Sequence, residues 1–273
     1  MNAETPDDQL RVHTDRQALC RTVAEDLVDV LREAVDTRGT ASAVLTGGGT
    51  GTGILEALAA PELAGQVDWS AVHLWWGDER YLPAGNGERN EVLATDALLS
   101  ALVEDHGLPP ENIHRMPAAA PQTARSVNEV HDAARVYAAA LADHAAADPG
   151  PDPRLPVLDV VLLGMGPDAH VASLFPGLPG PSATGQTVIG VTDSPKPPPE
   201  RISLTLESLG TARRVWLVVA GQDKAETVST VRDARERGQR DADRLPATAV
   251  NGTVQTRWDL DRGAAGLEDT GAH

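Results

Sequence analysis

The chain is poor in the features that would place it quickly. A single cysteine, Cys20, rules out an internal disulfide framework, and its position in a helical pattern reads as a small buried apolar residue. Aromatics make up 3% of the 273 residues, so Val, Leu and Ala must fill the interior. No apolar run approaches the roughly 20 residues that span a bilayer, and the acidic start MNAETPDDQL is unlike a signal peptide. Positive charge is scarce as well. With 23 Lys and Arg against 40 Asp and Glu, the net charge of −17 argues against nucleic acid or an anionic membrane as partner. It leaves room for a local basic pocket. These absences lead to the expectation of a soluble cytoplasmic protein.

What is present is an alternation of helix and strand. Leu19, Val23, Leu27, Leu31 and Ala34 recur at helical spacing and stop at Arg38-Gly39. Strands are expected at 41–45, 71–76, 113–116, 188–191, 202–206, 215–219 and 253–258. Helices are expected at 54–60, 90–103 and 221–235, with a further one marked by Val127, Val130, Ala134, Tyr137 and Leu141. Strands separated by helices imply mostly parallel pairing with helices on both faces. The expectation is one doubly wound, Rossmann-like α/β domain over residues 1–273, with about 1–10 and 263–273 as frayed tails.

The most informative run is Leu158 to Phe175, LDVVLLGMGPDAHVASLF. A β-rich segment stops at Gly164-Met165-Gly166-Pro167 and is followed at once by Asp168 and His170. Such a turn presents chemistry at the carboxyl edge of a parallel sheet. A carboxylate two residues from an imidazole can fix its tautomer, which suits a general base. Residues 164–169 also fit the dinucleotide pattern G-x-G-x-x-A. Pro176-Gly177 breaks any following helix almost immediately, which disfavours that reading.

Three other strand ends carry unusual loops. TGGGTGTG (46–53) precedes a helix, where backbone N–H groups and the helix field favour an anion; no Gly-Lys-Ser/Thr follows, so it is no Walker loop. Gly77-Asp78-Glu79-Arg80 follows Trp75-Trp76, and Arg80 is a candidate to polarise a carbonyl or hold an oxyanion. TDSPKPPPER (192–201) stiffens Lys196 and Arg201 with three prolines, two fixed cations in an acidic chain. Lys224, near the start of the Gly221 helix, is a fifth element. No G-x-S-x-G elbow occurs, which disfavours a covalent serine route.

Together the runs LTGGGTGTG, WWGDERYLP, LLGMGPDAHVASLFPG, VTDSPKPPPERISLTLESL and GQDKAETV, in this order over about residues 40–250, resemble the 6-phosphogluconolactonase family. That family lies in the superfamily that includes glucosamine-6-phosphate deaminases. The resemblance implies hydrolysis of 6-phospho-D-glucono-1,5-lactone to 6-phospho-D-gluconate in the oxidative pentose phosphate pathway, with no metal and no organic cofactor, by a monomer or homodimer. It implies His170 as general base, Asp168 as its orienting partner and Arg80 at the lactone carbonyl. Gly48, Gly49 and Thr50, with Lys196, Arg201 and Lys224, would cradle the phosphate. The alternatives are a sugar-phosphate isomerase or deaminase of the same superfamily and a non-catalytic sugar-phosphate sensor. The chain departs from the family pattern at three places. Gly49 and Gly51 replace a serine and a proline. Ala169 replaces a glycine between Asp168 and His170, raising the question of positive φ there. Arg89 replaces a serine before Asn90, as a cation near the site or a solvent-facing residue.

Overall fold

The structure is a computed structural model that describes residues 7–120 and 128–267. Strand β1 (Asp7–His13) pairs in parallel with the last strand along its whole length, from Asp7 opposite Gln255 to His13 opposite Asp261. This corrects the expectation that residues 1–10 fray, since 7–10 are laddered into a sheet. The strand is hard to see because it is an edge: its two large apolar side chains, Leu10 and Val12, are exposed, and its polar members make specific contacts. Arg11 donates to Asp259 at 2.8 Å. At the other end, residues 263–267 are also ordered into the fold. Ala264 is fully buried and its N–H donates to Asp261 Oδ1 at 2.7 Å. Residues 268–273, and Val127 of the expected helix face, lie outside the described residues.

Helix α1 (Arg16–Arg38) begins at Asp15, whose carboxylate accepts from the Ala18 N–H, and ends at Gly39 in the left-handed region (φ 77°). Those are the start and stop devices expected of an isolated helix signal. There follow β2 (Ala41–Leu45), α2 (Gly48–Leu58), α3 (Pro61–Ala64), β3 (Val72–Trp76) and β4 (Asp78–Arg80). The helix expected at 90–103 is α4 (Asn90–Ala94) and α5 (Ser100–Asp105), joined by a wider π turn at Thr95–Leu99. Residues 113–116, expected as a strand, contribute only a single bridge between Ile113 and Leu74. Then come α6 (Glu129–Ala145), β5 (Val160–Leu163), β6 (Val188–Val191), β7 (Arg201–Leu204), α7 (Leu206–Leu209), β8 (Arg214–Val219), α8 (Ala225–Glu236) and β9 (Gln255–Asp261).

Six strands form one parallel sheet in the order β1-β9-β8-β5-β2-β3. Every residue of β2 and β5 is buried, as strands covered on both faces must be. All five tryptophans are buried with the Val, Leu and Ala of this core. The remaining strands form a small antiparallel sheet, β4-β7-β6. The fold is therefore the mostly parallel α/β architecture expected, with an antiparallel appendage that the strand spacing does not reveal.

The topology decides where a ligand can sit. From β2 the chain moves to β3 on one side; from β5 it reaches β8 on the other. The loops leaving the adjacent strands β2 and β5 therefore diverge, which opens a crevice at their carboxyl ends.

Candidate active site

A cleft of about 230 Å³ occupies that crevice. One wall is the turn after β5. Ala169 N–H donates to Gly166 O at 3.0 Å, and Gly166 N–H to His170 O at 3.0 Å, so the chain doubles back within five residues. The doubling requires a left-handed residue, and Ala169 supplies it at φ 66°. A non-glycine residue there costs roughly 1–2 kcal/mol, which the buried surroundings and a bond from Ala247 N–H to Ala169 O at 3.1 Å offset.

This turn sets His170 Nδ1 2.5 Å from Asp168 Oδ1. Phe175 backs the imidazole, with ring centroids 4.5 Å apart. The pair can form only because position 166 has no side chain: a Cβ there would lie 2.1 Å from both His170 Nδ1 and Cε1, and 2.4 Å from Asp168 Oδ1. Burial pushes the Asp168 carboxyl up, but the hydrogen bond from His170 and the charges of His170 and Lys196 outweigh it and hold the group at about 2. Asp168 is thus an anion across the working pH range, which favours the tautomer with the proton on Nδ1 and Nε2 free to accept.

A second wall comes from Asp78-Glu79-Arg80. The sequence reads this run as a loop; it is strand β4, paired with β7 so that Arg80 lies opposite Arg201. Glu79 is buried and accepts from the backbone N–H of Arg80 (2.7 Å), Asn90 (2.7 Å) and Glu91 (2.9 Å). It therefore anchors the start of α4 to β4. Burial raises its pKa against those bonds and the charge of Arg89. Arg80 is positioned through the same junction, with Nη1 donating to Glu88 O at 2.6 Å and to Asn90 Oδ1 at 2.9 Å. Asn90 also donates to Asp78 O at 2.9 Å. Arg89 neither faces solvent nor adds a cation to the cleft. It is buried and donates to the carbonyls of Arg80, Leu82 and Met116, bracing the loop behind the site.

The glycine run is mostly helix. Gly47 is the N-cap of α2 and carries no side chain to satisfy the first-turn amides. Thr46, Gly47 and Gly48 line the cleft, whereas Gly49 and Thr50 do not. A Cβ at Gly49 would point to Arg16, and Thr50 O accepts from Cys20. What Gly49 and Thr50 can offer a phosphate is limited to the amides of that first turn.

The sequence contains two lysines, Lys196 and Lys224, and both line this cleft. Lys196 Nζ is 4.0 Å from Asp168 Oδ1. Burial lowers the Lys196 pKa, and the charges of Lys224 and Arg201 lower it further against the pull of Asp168. Lys224 pairs with Asp223. Arg201 lines the cleft too, but its fork is engaged: Nε donates to Pro198 O, and Nη2 to Lys196 O and Pro197 O, each at 3.1 Å. Its Nη1 is 4.0 Å from Asp78 Oδ2. Arg201 holds the proline loop that carries Lys196, so its expected phosphate contact becomes a bracing role plus a charge.

Three residues gain a role that the motifs did not assign. Asp78 accepts from the buried Ser173 hydroxyl at 2.6 Å and faces Arg201. Thr46 and Asn90 line the cleft. The available signal was adjacency, since Asp78 and Asn90 sit beside residues already singled out. Among the described residues, no helix is long and apolar enough to cross a membrane.

Comparison with known proteins places the chain in a family. Residues 14–258 match the family described as glucosamine-6-phosphate isomerases/6-phosphogluconolactonase. The 6-phosphogluconolactonase of Streptomyces coelicolor is 44% identical over 263 residues, covering 96% of this chain and 95% of that protein. The 6-phosphogluconolactonase of Mycobacterium tuberculosis is 41% identical over 257 residues, covering 94% and 96%. The solved structure of 6-phosphogluconolactonase from Trypanosoma brucei, 24% identical, superposes with a TM-score of 0.78 over 96% of this chain and 99% of that one, and shares the fold. The chain belongs to the glucosamine-6-phosphate isomerase/6-phosphogluconolactonase family.

Proposed function

We propose that the chain is a 6-phosphogluconolactonase, a lactone hydrolase that opens 6-phospho-D-glucono-1,5-lactone to 6-phospho-D-gluconate, and that His170 activates the water. The observation that carries the reading is the Asp168–His170 pair at 2.5 Å, facing a cleft that also holds Arg80 and the chain's two lysines.

In this mechanism Nδ1–H of His170 donates to Asp168, and Nε2 takes a proton from the water as its oxygen bonds to C1. The carbonyl π electrons move onto oxygen, and Arg80 stabilises the resulting oxyanion. Collapse re-forms the carbonyl and breaks the bond from C1 to the ring oxygen. The imidazolium returns its proton to that oxygen, so the base is regenerated. No other group is consumed.

The phosphate is assigned to Gly48 with the first-turn amides of α2, Lys196 and Lys224. Two ammonium groups that raise each other's potential form a site a dianion relieves, and a helix N-terminus adds donors. Arg201 steadies the loop. Phosphate binding then orients the lactone carbonyl toward His170, so that affinity for a non-reacting group accelerates the reaction. This reading puts the reaction in the oxidative pentose phosphate pathway, and the cytoplasm is the compartment proposed for it.

The test is a coupled assay in which glucose 6-phosphate, its dehydrogenase and NADP generate the lactone. Product formation is followed with the uncatalysed opening subtracted. Acceleration by the wild type, its loss in His170→Ala, and retained binding of 6-phosphogluconate by that variant are the expected results. Ammonia release from glucosamine 6-phosphate with no effect on the lactone would replace this reading with the deaminase one.

A further inference from the structure

A second group of imidazoles lies apart from the cleft, at the β3 edge of the parallel sheet. His73 is near the start of β3 and shares a strand face with Trp75, two residues on. His114 follows Ile113, which bridges β3 at Leu74, and its N–H donates to Leu74 O at 2.9 Å. His144 occupies the last turn of α6. A strand, a loop and a helix end thus bring three imidazoles together, and one ring nitrogen of each lies within 4.8 Å of the others. His73 Nδ1 and His114 Nε2 are 3.1 Å apart.

We propose that His73, His114 and His144 bind one divalent transition-metal ion of the zinc class, as a clamp between α6 and the sheet edge. Ligand nitrogens at about 2.0–2.1 Å from a tetrahedral zinc are separated by roughly 3.3 Å. The His73–His114 distance already meets that spacing, and small ring rotations bring His144 to it. The indole of Trp75 stacks on His114, with centroids 3.7 Å apart and planes 7° apart, which fixes that ring's orientation.

The polar accounting also points to a missing partner. One hydrogen bond between His73 and His114 uses one nitrogen of each, yet His144 Nε2 is buried with no partner. Asp148, one turn beyond His144, has a buried Oδ2 in the same condition, and its charge acts on His144. A carboxylate behind a ligating imidazole is the usual support of such sites. All three rings are held neutral by burial, so protons do not compete with a metal at neutral pH.

Three neutral nitrogens favour zinc, cobalt, nickel or copper over calcium or magnesium. They leave a fourth position for water. The cluster shares no residue with the cleft, and it lies toward the start of β3 whereas the cleft opens beyond the strand's carboxyl end. The ion therefore stabilises the fold and takes no part in lactone hydrolysis.

The experiment is a titration of the full chain, stripped with a chelator, with cobalt(II) chloride and separately with zinc chloride. Cobalt should develop the visible absorption of a nitrogen-ligated, low-coordinate ion at one equivalent per chain, and zinc should displace it. His144→Ala and His114→Phe, the second keeping a ring on Trp75, remove a ligand outright and should each weaken binding by more than the roughly 10–100-fold that loss of an outer-shell partner costs, and abolish the zinc-induced rise in thermal midpoint. His170→Ala should bind as the wild type does. Absence of a one-equivalent cobalt spectrum, binding undiminished in a folded His144→Ala, or binding lost in His170→Ala would overturn the proposal.

Discussion

Gly166→Ala isolates the geometry of the proposed base from its chemistry, because it adds one methyl group and removes nothing. Position 166 does not have positive φ, so alanine is free to adopt the backbone. The new Cβ would lie 2.1 Å from His170 Nδ1 and Cε1, and 2.4 Å from Asp168 Oδ1. Ordinary carbon contacts begin near 3.5 Å, so the ring must retreat by roughly 1.4 Å or swing away from Asp168. A misplacement of about 1 Å costs on the order of 100-fold in rate, equivalent to about 2.7 kcal/mol of barrier. The three atoms nearest the added methyl all belong to His170 and Asp168, not to the lysines or the α2 N-terminus. The coupled assay should therefore show kcat reduced about 100-fold with KM altered by less than about threefold. Far-UV circular dichroism and thermal unfolding would establish that the variant is folded. A folded Gly166→Ala with kcat within about threefold of wild type would refute the claim that the Asp168–His170 pair performs the chemistry.

Ala169→Gly relieves left-handed strain of about 1 kcal/mol and removes a buried methyl worth about 0.8 kcal/mol. Its urea midpoint should stay close to wild type. Gly177→Ala, at φ 72° with nothing within 4 Å of the added carbon, should lose about 1 kcal/mol; equal effects would refute the strain argument. Because the Lys196 pKa is lowered and the Lys224 ammonium is tied to Asp223, Lys196 should be acylated before Lys224 by limiting acetic anhydride, with phosphate or 6-phosphogluconate slowing the modification. Peptide mass spectrometry showing Lys224 labelled first and unprotected would contradict the cradle. Burial lowers His73 to about 4 and His114 to about 3 from 6.5, so between pH 6.5 and 4 the unfolded chain binds protons that the folded one refuses. Stability is therefore present above 6.5 and lost as pH falls through that window. Melting of chelator-treated protein should show this between pH 7 and 5, with a shallower slope in His114→Phe; an unchanged slope would refute it.

The parallel sheet was legible because its central strands are apolar throughout, and the β5 turn because glycines and a proline end such a strand abruptly. β1 was not legible. Its run DDQLRVH buries little, and its partner β9 lies 248 positions away, as the Arg11–Asp259 bond shows. β4 was missed for a related reason: Asp78-Glu79-Arg80 has the composition of a solvated loop, yet pairing with β7 and three amides converging on Glu79 compensate for burying it. The glycine run, read as an anion-binding loop, is mostly helix, and of its glycines only Gly47 and Gly48 line the cleft. Gly51 is required by packing, since a Cβ there would meet Thr46 O at 2.3 Å. A linear pattern cannot separate that need from a need to contact ligand. Arg89 shows the limit most clearly, because its three carbonyl partners and its pairing with Glu91, which distinguish a buried brace from a catalytic cation, come from the fold and not from the local sequence.

A chain of net charge −17 that handles a sugar phosphate must reverse its own field locally. Screening over about 8 Å at physiological ionic strength makes the distant carboxylates matter little inside the cleft, so the outcome depends on the groups at hand. Those groups are arranged unequally. The arginines, Arg80 and Arg201, are tied to carbonyls and to Asn90, and their planar forks suit such fixed roles. The two lysines are compact charges on flexible stems, and Lys196 is buried enough, and near enough to other cations, to have its charge disfavoured. In the proposed phosphate site an incoming dianion would remove that penalty, so part of its affinity would come from relieving the crowding of cations. Both lysines of the chain line this one cleft, and the proposed phosphate site draws its mobile positive charge from them.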